Sequence, residues 1–163
     1  SSTAATTIVK KSAAPAGKPA KPRVPEKAAT TMAMDKPGKS MAGKWSWPAQ
    51  GALLERYRPN AALKGIDIGG SKGKPVNAAA EGQVVYQGSG LRGYGQLIIL
   101  KHSADYLSAY AHCDRIYVKE GDVVKRGQKI ADMGASGTDR VKLHFEIRYR
   151  GTPVNPLEHL PRK

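Results

Sequence analysis

From Trp45 to the end of the chain, apolar residues occur in short runs that are separated by glycine, proline and other turn-forming residues. Several runs alternate apolar and polar side chains with the period of two that is typical of a β-strand, and none is long enough for a substantial helix. The clearest runs are PVNAAA, GQVVYQG, GQLIILKH, YLSAYAH, QKIADMG and LHFEIRYRG. Because the connecting segments carry the Gly, Asp and Ser of tight turns, the sequence predicts a mostly β domain with an antiparallel sheet.

One short helical turn is predicted near the C-terminus, in the segment NPLEHLP. Asn155 suits the N-cap position, because its side-chain oxygen can accept a hydrogen bond from a backbone N–H of the first turn. Pro156 suits the first helical position, where its missing N–H removes no helical hydrogen bond.

The first 44 residues differ from the rest of the chain. They contain no aromatic residue and consist mainly of Ala, Lys, Pro, Thr and Ser. Such a segment buries too little apolar surface to offset the entropy lost on ordering. It carries nine Lys and Arg against Glu26 and Asp35, so it supplies +7 of the net charge of +14. The sequence therefore predicts a disordered, basic linker over residues 1–44 and one folded domain over residues 45–163.

Composition and charge exclude several function classes. The chain has 163 residues with 27 Lys and Arg against 13 Asp and Glu, but it lacks helix-turn-helix, zinc-finger and RNP-type patterns, so no nucleic-acid partner is predicted. No apolar run is long enough for a membrane-spanning helix. The single cysteine, Cys113, excludes an internal disulfide and a four-cysteine zinc site. Lipid head groups or the carboxylates of cell-wall peptides are anionic partners that would suit the net positive charge of the chain.

Two of the four histidines lie in strand patterns beside other polar side chains. The alternation of YLSAYAH predicts that Tyr110 and His112 face the same side of one strand, and LHFEIRY places His144 on one face with Glu146 and Arg148. Histidines in this arrangement can line a cleft, although each is alternatively a hydrogen-bonded structural residue.

Asp67 and the other two histidines, His102 and His159, are weaker candidates for a functional site. Asp67 lies between Ile66 and Ile68, so it is expected to face away from the core and, as a lone acid, to be solvated. His102 and His159 are expected to be surface or structural residues.

An ordered series of motifs over about residues 45–160 resembles the LytM (lysostaphin-like) zinc endopeptidases. Residues 88–95 and the ending NPL are most similar to the degenerate LytM domains of the NlpD and EnvC type. The motifs are, in order, GIDI at 65–68, GKPV at 73–76, AAEGQVV at 79–85, GQLII at 95–99, YAH at 110–112, EGDVV at 120–124, GQ at 127–128 and LHFE at 143–146.

The resemblance also implies where a metal site would lie. Active members hold zinc through a His four residues before the Asp, through that Asp, and through the second His of a His-x-His, while two further histidines assist catalysis. These positions correspond here to Leu63, Asp67, His144, His112 and Lys142. Because leucine has no lone pair to donate and the lysine ammonium opposes a metal cation, we expect zinc to be absent or weakly bound and peptide hydrolysis to be absent.

The resemblance implies a non-catalytic function in the cell envelope. It identifies the chain as an activator of peptidoglycan N-acetylmuramoyl-L-alanine amidases at the division septum, acting in the periplasm and possessing a lipid anchor upstream of Ser1. A groove left by the former active site would bind the amidase, peptidoglycan or both. Leu63, Arg92, Tyr94 and Lys142 are the candidate contacts, with Asp67, His112 and His144 as remnants of the metal site.

Three alternatives remain open from the sequence. The chain is alternatively an active zinc endopeptidase with a relocated ligand, for which His112 is the available donor. Leu63 and Lys142 are alternatively products of drift in an unused site. The stretch at residues 120–130 also resembles the turn of biotinyl and lipoyl carrier domains, but Met133 is followed by glycine and not by the lysine that carriers modify.

Overall fold

The computed structural model describes residues 43–162, so the linker predicted over residues 1–44 lies almost entirely outside the described residues and stays a prediction. Within this range the chain forms ten strands and one 3-10 helix. The strands are β1 Leu53–Glu55, β2 Ile66–Gly69, β3 Pro75–Asn77, β4 Gly82–Gly88, β5 Gln96–Lys101, β6 Tyr106–Ile116, β7 Val123–Val124, β8 Lys129–Met133, β9 Lys142–Tyr149 and β10 Thr152–Val154. The 3-10 helix is Pro156–Glu158, and Asn155 caps it through a 3.0 Å hydrogen bond from the Leu157 N–H, as predicted.

All ten strands belong to one antiparallel sheet, which confirms the predicted mostly β fold. The main path runs β1-β2-β9-β6-β5-β4-β7. The long strand β6 pairs with β9 along its first half and with β8 along its second half, and β3 adds to β8. No helix in the part of the chain described here is long and apolar enough to cross a membrane.

The two faces of the central strands have different roles. On β2 and β9, the alternate residues Ile66, Ile68, Leu143, Phe145 and Ile147 are fully buried in the main core. The residues between them point to the opposite face, because successive side chains of a strand alternate. The polar residues of these strands therefore lie side by side on one face of the sheet.

A β-bulge in β6 overturns the expectation that Tyr110 and His112 share a face. The three steps from Tyr110 to Cys113 on β6 lie opposite only two steps, from Ile98 to Gln96, on β5, and His112 has a left-handed φ of 66°. The extra residue shifts the alternation by one. Tyr110 and Cys113 consequently both lie in the main core, whereas His112 turns to the polar face.

His102 is a structural residue in the interior. Its Nδ1 donates to the Glu81 carbonyl oxygen at 2.7 Å, and its Nε2 lies 2.7 Å from Ser108 Oγ, which in turn contacts the Tyr110 hydroxyl. Burial lowers the pKa of His102 to about 4. The residue thus connects β5 and β6 as a neutral imidazole.

Residues 45–48 cross the core side of the sheet as an aromatic strap. Trp45 is buried against the rings of His102, Tyr106 and His159, with centroid distances of 5.0, 5.8 and 6.1 Å. Trp47 Nε1 donates to the Pro161 carbonyl oxygen at 2.7 Å. The strap therefore ties the start of the described chain to its end, on the face opposite the polar residues of β2 and β9.

Candidate functional site

A cavity of about 300 Å³ opens on the polar face of the sheet. Its floor is formed by Asp67 of β2, His112 of β6, and Lys142 and His144 of β9. Its walls come from the end of β1 and from the segment that links β1 to β2, and they consist of Glu55, Arg56, Arg58, Ala61, Ala62, Leu63 and Gly65. The cavity is the groove that the sequence predicted.

Strand register brings the floor residues together. Asp67 pairs directly with His144, and Gly69 pairs with Lys142, so both β9 side chains flank the carboxylate. Asp67 Oδ1 accepts from His144 Nδ1 at 2.7 Å, and Oδ2 accepts from Lys142 Nζ at 3.0 Å. The expectation of a solvated, lone Asp67 is wrong: the residue is only 8% exposed and is paired on both oxygens.

The ion pairing continues along β9 beyond His144. His144 Nε2 donates to Glu146 Oε2 at 2.8 Å, and Arg148 donates from Nε and Nη2 to Glu146 Oε1 at 3.0 and 2.8 Å. The Tyr94 hydroxyl donates to Glu146 Oε2 at 2.9 Å. Cations and anions thus alternate from Lys142 to Arg148, and the predicted common face of His144, Glu146 and Arg148 is confirmed.

The pairing decides the charges of the buried groups. Burial alone would raise the pKa of Asp67 and Glu146, but hydrogen bonds from His144 and from Lys142 or Arg148 outweigh it and hold both pKa values below their ordinary range. Burial alone would lower the pKa of His144, but its bonds to the two carboxylates raise it. Since both ring nitrogens of His144 donate to carboxylates, the imidazole is held as the cation.

The neighbouring His112 has the opposite environment. Its ring centroid lies 6.1 Å from that of His144, and its Nδ1 donates to the Ser136 carbonyl oxygen at 2.8 Å. Burial lowers the pKa of His112, and the charges of His144 and Lys142 lower it further. The floor therefore holds one charged and one neutral imidazole side by side.

The three histidines should be separable by titration. In an NMR titration of histidine side chains, we expect His144 to titrate above the ordinary value of 6.5, His112 below it, and His102 near 4. The His112→Gln and His144→Gln variants assign the signals. A His144 pKa below that of His112 would contradict the ion-paired floor.

The Gly-rich connection between β4 and β5 forms one side of the site. Leu63 lies against this hairpin, because a Cβ built at Gly93 would be 3.7 Å from Leu63 Cδ2. Tyr94 packs beside the floor, with its ring centroid 6.1 Å from that of His144, but it is not among the residues that line the cavity. Arg92 is exposed on the hairpin and is not among the residues that line the cavity.

Gly95 holds the hairpin against the loop that contacts His112. Its φ is +64°, and a Cβ at this position would collide with the Ser136 carbonyl. We expect Gly95→Ala to lower the free energy of unfolding by about 2–4 kcal/mol, through left-handed strain and the clash. Gly93→Ala is the control in urea denaturation, since its φ is +90° and its Cβ has room, so only the strain of about 1 kcal/mol remains. Equal losses in the two variants would contradict the close approach.

The donor set does not fit a zinc site. Among residues 43–162, no three His, Cys, Asp or Glu side chains are placed to hold a metal ion together. Both oxygens of Asp67 are bonded within the protein, one of them to an ammonium, and both nitrogens of His144 are bonded to carboxylates. Leu63 lines the cavity with an apolar side chain that has no donor atom.

The sequence predicted the residues of the floor but not the whole site. The resemblance assigned Leu63, Asp67, His112, Lys142 and His144 to one former metal site, and the structure brings these five residues together around the cavity. The sequence analysis did not identify the basic rim formed by Arg56 and Arg58, although the pattern ERYR shortly before Leu63 contains both residues. It also missed the buried position of Glu146, which nothing in the strand pattern distinguishes from an exposed acid.

Comparisons with known proteins show clear similarity in sequence to two curated lipoproteins or activators. The "Lipoprotein NlpD/LppB homolog" of Pseudomonas aeruginosa is 61% identical over 122 residues, covering 74% of this chain and 41% of that protein. The "Murein hydrolase activator NlpD" of Escherichia coli is 56% identical over 120 residues, covering 73% of this chain and 32% of that protein. The chain thus spans well under half of the length of these curated relatives.

Solved structures show the same fold. A zinc-containing peptidase from Vibrio cholerae aligns with a TM-score of 0.67 and 29% identity, covering 76% of this chain and 43% of that chain. Lysostaphin from Staphylococcus simulans aligns with a TM-score of 0.63 and 26% identity, covering 73% of this chain and 54% of that chain. The model of peptidase family M23 matches residues 61–156, which include every floor residue of the cavity. The chain belongs to peptidase family M23.

Proposed function

We propose that this chain activates peptidoglycan N-acetylmuramoyl-L-alanine amidases in cell separation and catalyses no hydrolysis itself. The observation that carries the proposal is the continuous series of ion pairs that runs from Lys142 through Asp67 and His144 on the cavity floor to the buried Glu146. The similarity to proteins named murein hydrolase activator supports the same function.

The ion pairs explain why the cavity is suited to binding and not to metal catalysis. A catalytic zinc site keeps three protein donors and one open position for water. Here the ammonium of Lys142 lies 3.0 Å from Asp67 Oδ2, and Leu63 offers no donor atom. The remaining histidine, His112, donates its Nδ1 proton to the Ser136 carbonyl oxygen, which leaves its neutral Nε2 as a potential donor. One such nitrogen does not make a zinc site, which needs three protein donors. We therefore expect zinc to be absent or weakly bound, and we do not favour the alternative of a zinc endopeptidase.

The same ion pairs make the cavity a preorganised binding surface. Buried, fully paired charges fix the side chains of the floor, so little conformational entropy is lost when a partner binds. Leu63 presents an apolar contact, and Arg56 presents a cation on the rim. We place the amidase in this groove, in contact with Leu63, Lys142, Tyr94 and the exposed Arg92. Activation requires that the chain binds an open form of the amidase better than the closed form, which shifts the population toward the open form.

We further propose a location in the periplasm, at the cell envelope. The relatives include the "Outer membrane antigenic lipoprotein B" of Haemophilus influenzae, which is 56% identical over 119 residues. A lipid anchor upstream of Ser1 together with the basic sequence of residues 1–44 would let the folded domain reach the wall from the membrane. The boundary between this linker and the domain at residue 45 is part of the proposal.

Dye release from labelled sacculi tests the function. We expect no release by this protein alone, and release well above the amidase's own level when the two are combined. Leu63→Glu should abolish the stimulation, because it places a carboxylate in the apolar wall. Val85→Glu is the matched control, since Val85 is 41% exposed on β4 and does not line the cavity. Release by this protein alone, together with stoichiometric zinc, would overturn the proposal.

A further inference from the structure

A second surface lies at the other end of the sheet, in the two turns that flank β7. It consists of Tyr117, Lys119, Val123, Lys125 and Arg126 and is named the turn surface. All five residues are exposed, and the exposed fractions of Val123 and Tyr117 are 54% and 49%. These are two of the four exposed large hydrophobic residues among those the structure describes. Cations beside exposed apolar side chains are typical of binding surfaces.

The turns hold their cations in fixed positions. Asp122 Oδ2 accepts from the Lys119 N–H at 3.0 Å, and the Asp122 N–H donates back to the Lys119 carbonyl. In the second turn, Gln128 Oε1 accepts from the Lys125 N–H at 3.0 Å. The side chains of Asp122 and Gln128 thus bond to backbone, and the ammonium groups of Lys119 and Lys125 extend from rigid turns.

Two contacts fix the orientation of the Tyr117 ring beside these cations. Its hydroxyl donates to Asp132 Oδ2 at 2.6 Å, and Lys129 Nζ lies 4.7 Å from the ring centroid while pairing with Asp132 at 3.1 Å. A half-exposed aromatic ring in a fixed orientation offers a flat apolar face. The C–H groups of a sugar ring pack well on such a face.

The turn surface is continuous with the basic N-terminal sequence. Arg126 Nη1 donates to the Gly43 carbonyl oxygen at 3.2 Å, so the start of the described chain lies at this surface. Residues 1–44 carry nine Lys and Arg against two acids. Positive charge that runs from a folded surface into a long basic segment suits an extended anionic polymer better than a small ligand.

We propose that the turn surface binds peptidoglycan strands. The glycan packs on Tyr117 and Val123, and the carboxylates of the stem peptides pair with Lys119, Lys125 and Arg126. The choice of peptidoglycan as the anionic polymer rests on the proposed function. The strand order places β7 five positions from β2, which carries Asp67, and this is about 24 Å along the sheet at the usual strand spacing. The wall and a partner protein in the cavity can therefore be bound at the same time.

Co-sedimentation of the full chain with purified sacculi, without any amidase, tests the surface. The double variant K119E/K125E is expected to bind sacculi about ten-fold more weakly at low ionic strength, and the difference should shrink as salt screens the charges. Arg126 is left in place because it also contacts Gly43. Since no amidase is present, the result is independent of whether the chain activates one.

The charge-matched control is K72E/R140E, which changes the net charge equally at exposed residues outside the turn surface. We expect it to bind sacculi nearly as well as the wild type. Equal loss in both double variants would overturn the proposal, because the attraction would then be general. No loss in K119E/K125E would overturn it as well.

Two variants of Tyr117 test the glycan contact. Tyr117→Ala is expected to weaken sacculus binding several-fold, whereas Tyr117→Phe, which retains the ring, should bind like the wild type. Competition by heparin, an anionic polymer without stem peptides, should be weaker than competition by soluble peptidoglycan fragments. Equal competition together with an unaffected Tyr117→Ala would show a plain charged surface and would overturn the assignment to peptidoglycan.

Discussion

Replacing Glu146 by glutamine is expected to destabilise the domain by about 3–5 kcal/mol, because it removes one partner from a buried network of ion pairs. The Glu146 side chain is fully buried and accepts hydrogen bonds from Tyr94, His144 and Arg148. The glutamine amide nitrogen is itself a donor and would face the donors of the neighbouring side chains. The Arg148 guanidinium would lose the negative charge with which it is paired. Urea denaturation at pH 6 measures the loss.

The free energy of unfolding should depend on pH at both ends of the range, because the network contains groups with raised and with lowered pKa values. Because the folded pKa of His144 is raised, its stabilising contribution is present below about 6.5 and is lost as pH rises through the folded pKa. The contributions of Asp67 and Glu146, whose folded pKa values are lowered, are present above about 4.5 and are lost as pH falls through the folded pKa values. The wild type should therefore be most stable between these limits, and Glu146→Gln should flatten both losses.

Glu120→Gln serves as the control, since Glu120 is exposed in a turn and its removal should change the stability by less than about 0.5 kcal/mol. A loss below about 1 kcal/mol for Glu146→Gln would mean that Glu146 is not an essential partner of His144 and Arg148. The ion-paired floor would then no longer explain the rigidity of the cavity.

The double variant L63H/K142H is expected to bind about one zinc ion per chain, in contrast to the wild type. His at residue 63 adds the donor that leucine lacks, and His at residue 142 removes the ammonium that lies 3.0 Å from Asp67 Oδ2. Asp67 and His144 already lie side by side, joined by a 2.7 Å hydrogen bond whose proton zinc would displace, so the variant provides a donor set of His and Asp side chains that zinc accepts. Elemental analysis after dialysis measures the bound metal.

Two further variants control for incidental binding. L63H alone keeps the Lys142–Asp67 ion pair and should bind zinc much more weakly than the double variant. Asp67→Asn in the double variant removes an anionic donor and should abolish the gain. Stoichiometric zinc in the wild type would contradict our account of Leu63 and Lys142, and absence of zinc in L63H/K142H would show that the floor has lost more than two donors.

The fold could be predicted from repeating patterns, and part of the site from strand alternation and the family resemblance. Alternation along LHFEIRY placed His144 and Glu146 on one face, and the resemblance to the LytM endopeptidases aligned Leu63 and Asp67 with metal-ligand positions of that family. His112 was placed on the wrong side relative to Tyr110, because a bulge adds one residue to the alternation and no residue type in YAHC announces it. A left-handed histidine is uncommon enough that sequence patterns do not anticipate it.

The misjudged environment of Asp67 has a different cause. Alternation correctly turned its side chain away from the core, but the opposite face of β2 is itself covered by Lys142 and His144 of β9. Which strand lies next to β2 depends on a pairing between residues that are 77 positions apart in the chain. Local sequence contains no information about such a neighbour, so the charge state of the floor emerged only from the sheet register.

The aromatic strap determines how the domain would respond to mechanical force. Tension applied to the basic segment before Gly43 would act first on the bond from Arg126 to the Gly43 carbonyl oxygen. It would act next on Trp45, which packs against His102, Tyr106 and His159, and on the bond from Trp47 to Pro161. These contacts lie on the sheet face opposite the cavity, so they can yield while the pairs of Asp67 with Lys142 and His144 stay intact. With the proposed lipid anchor and wall contact, movement of the wall relative to the membrane would pull on the basic segment and detach the strap before it deformed the groove.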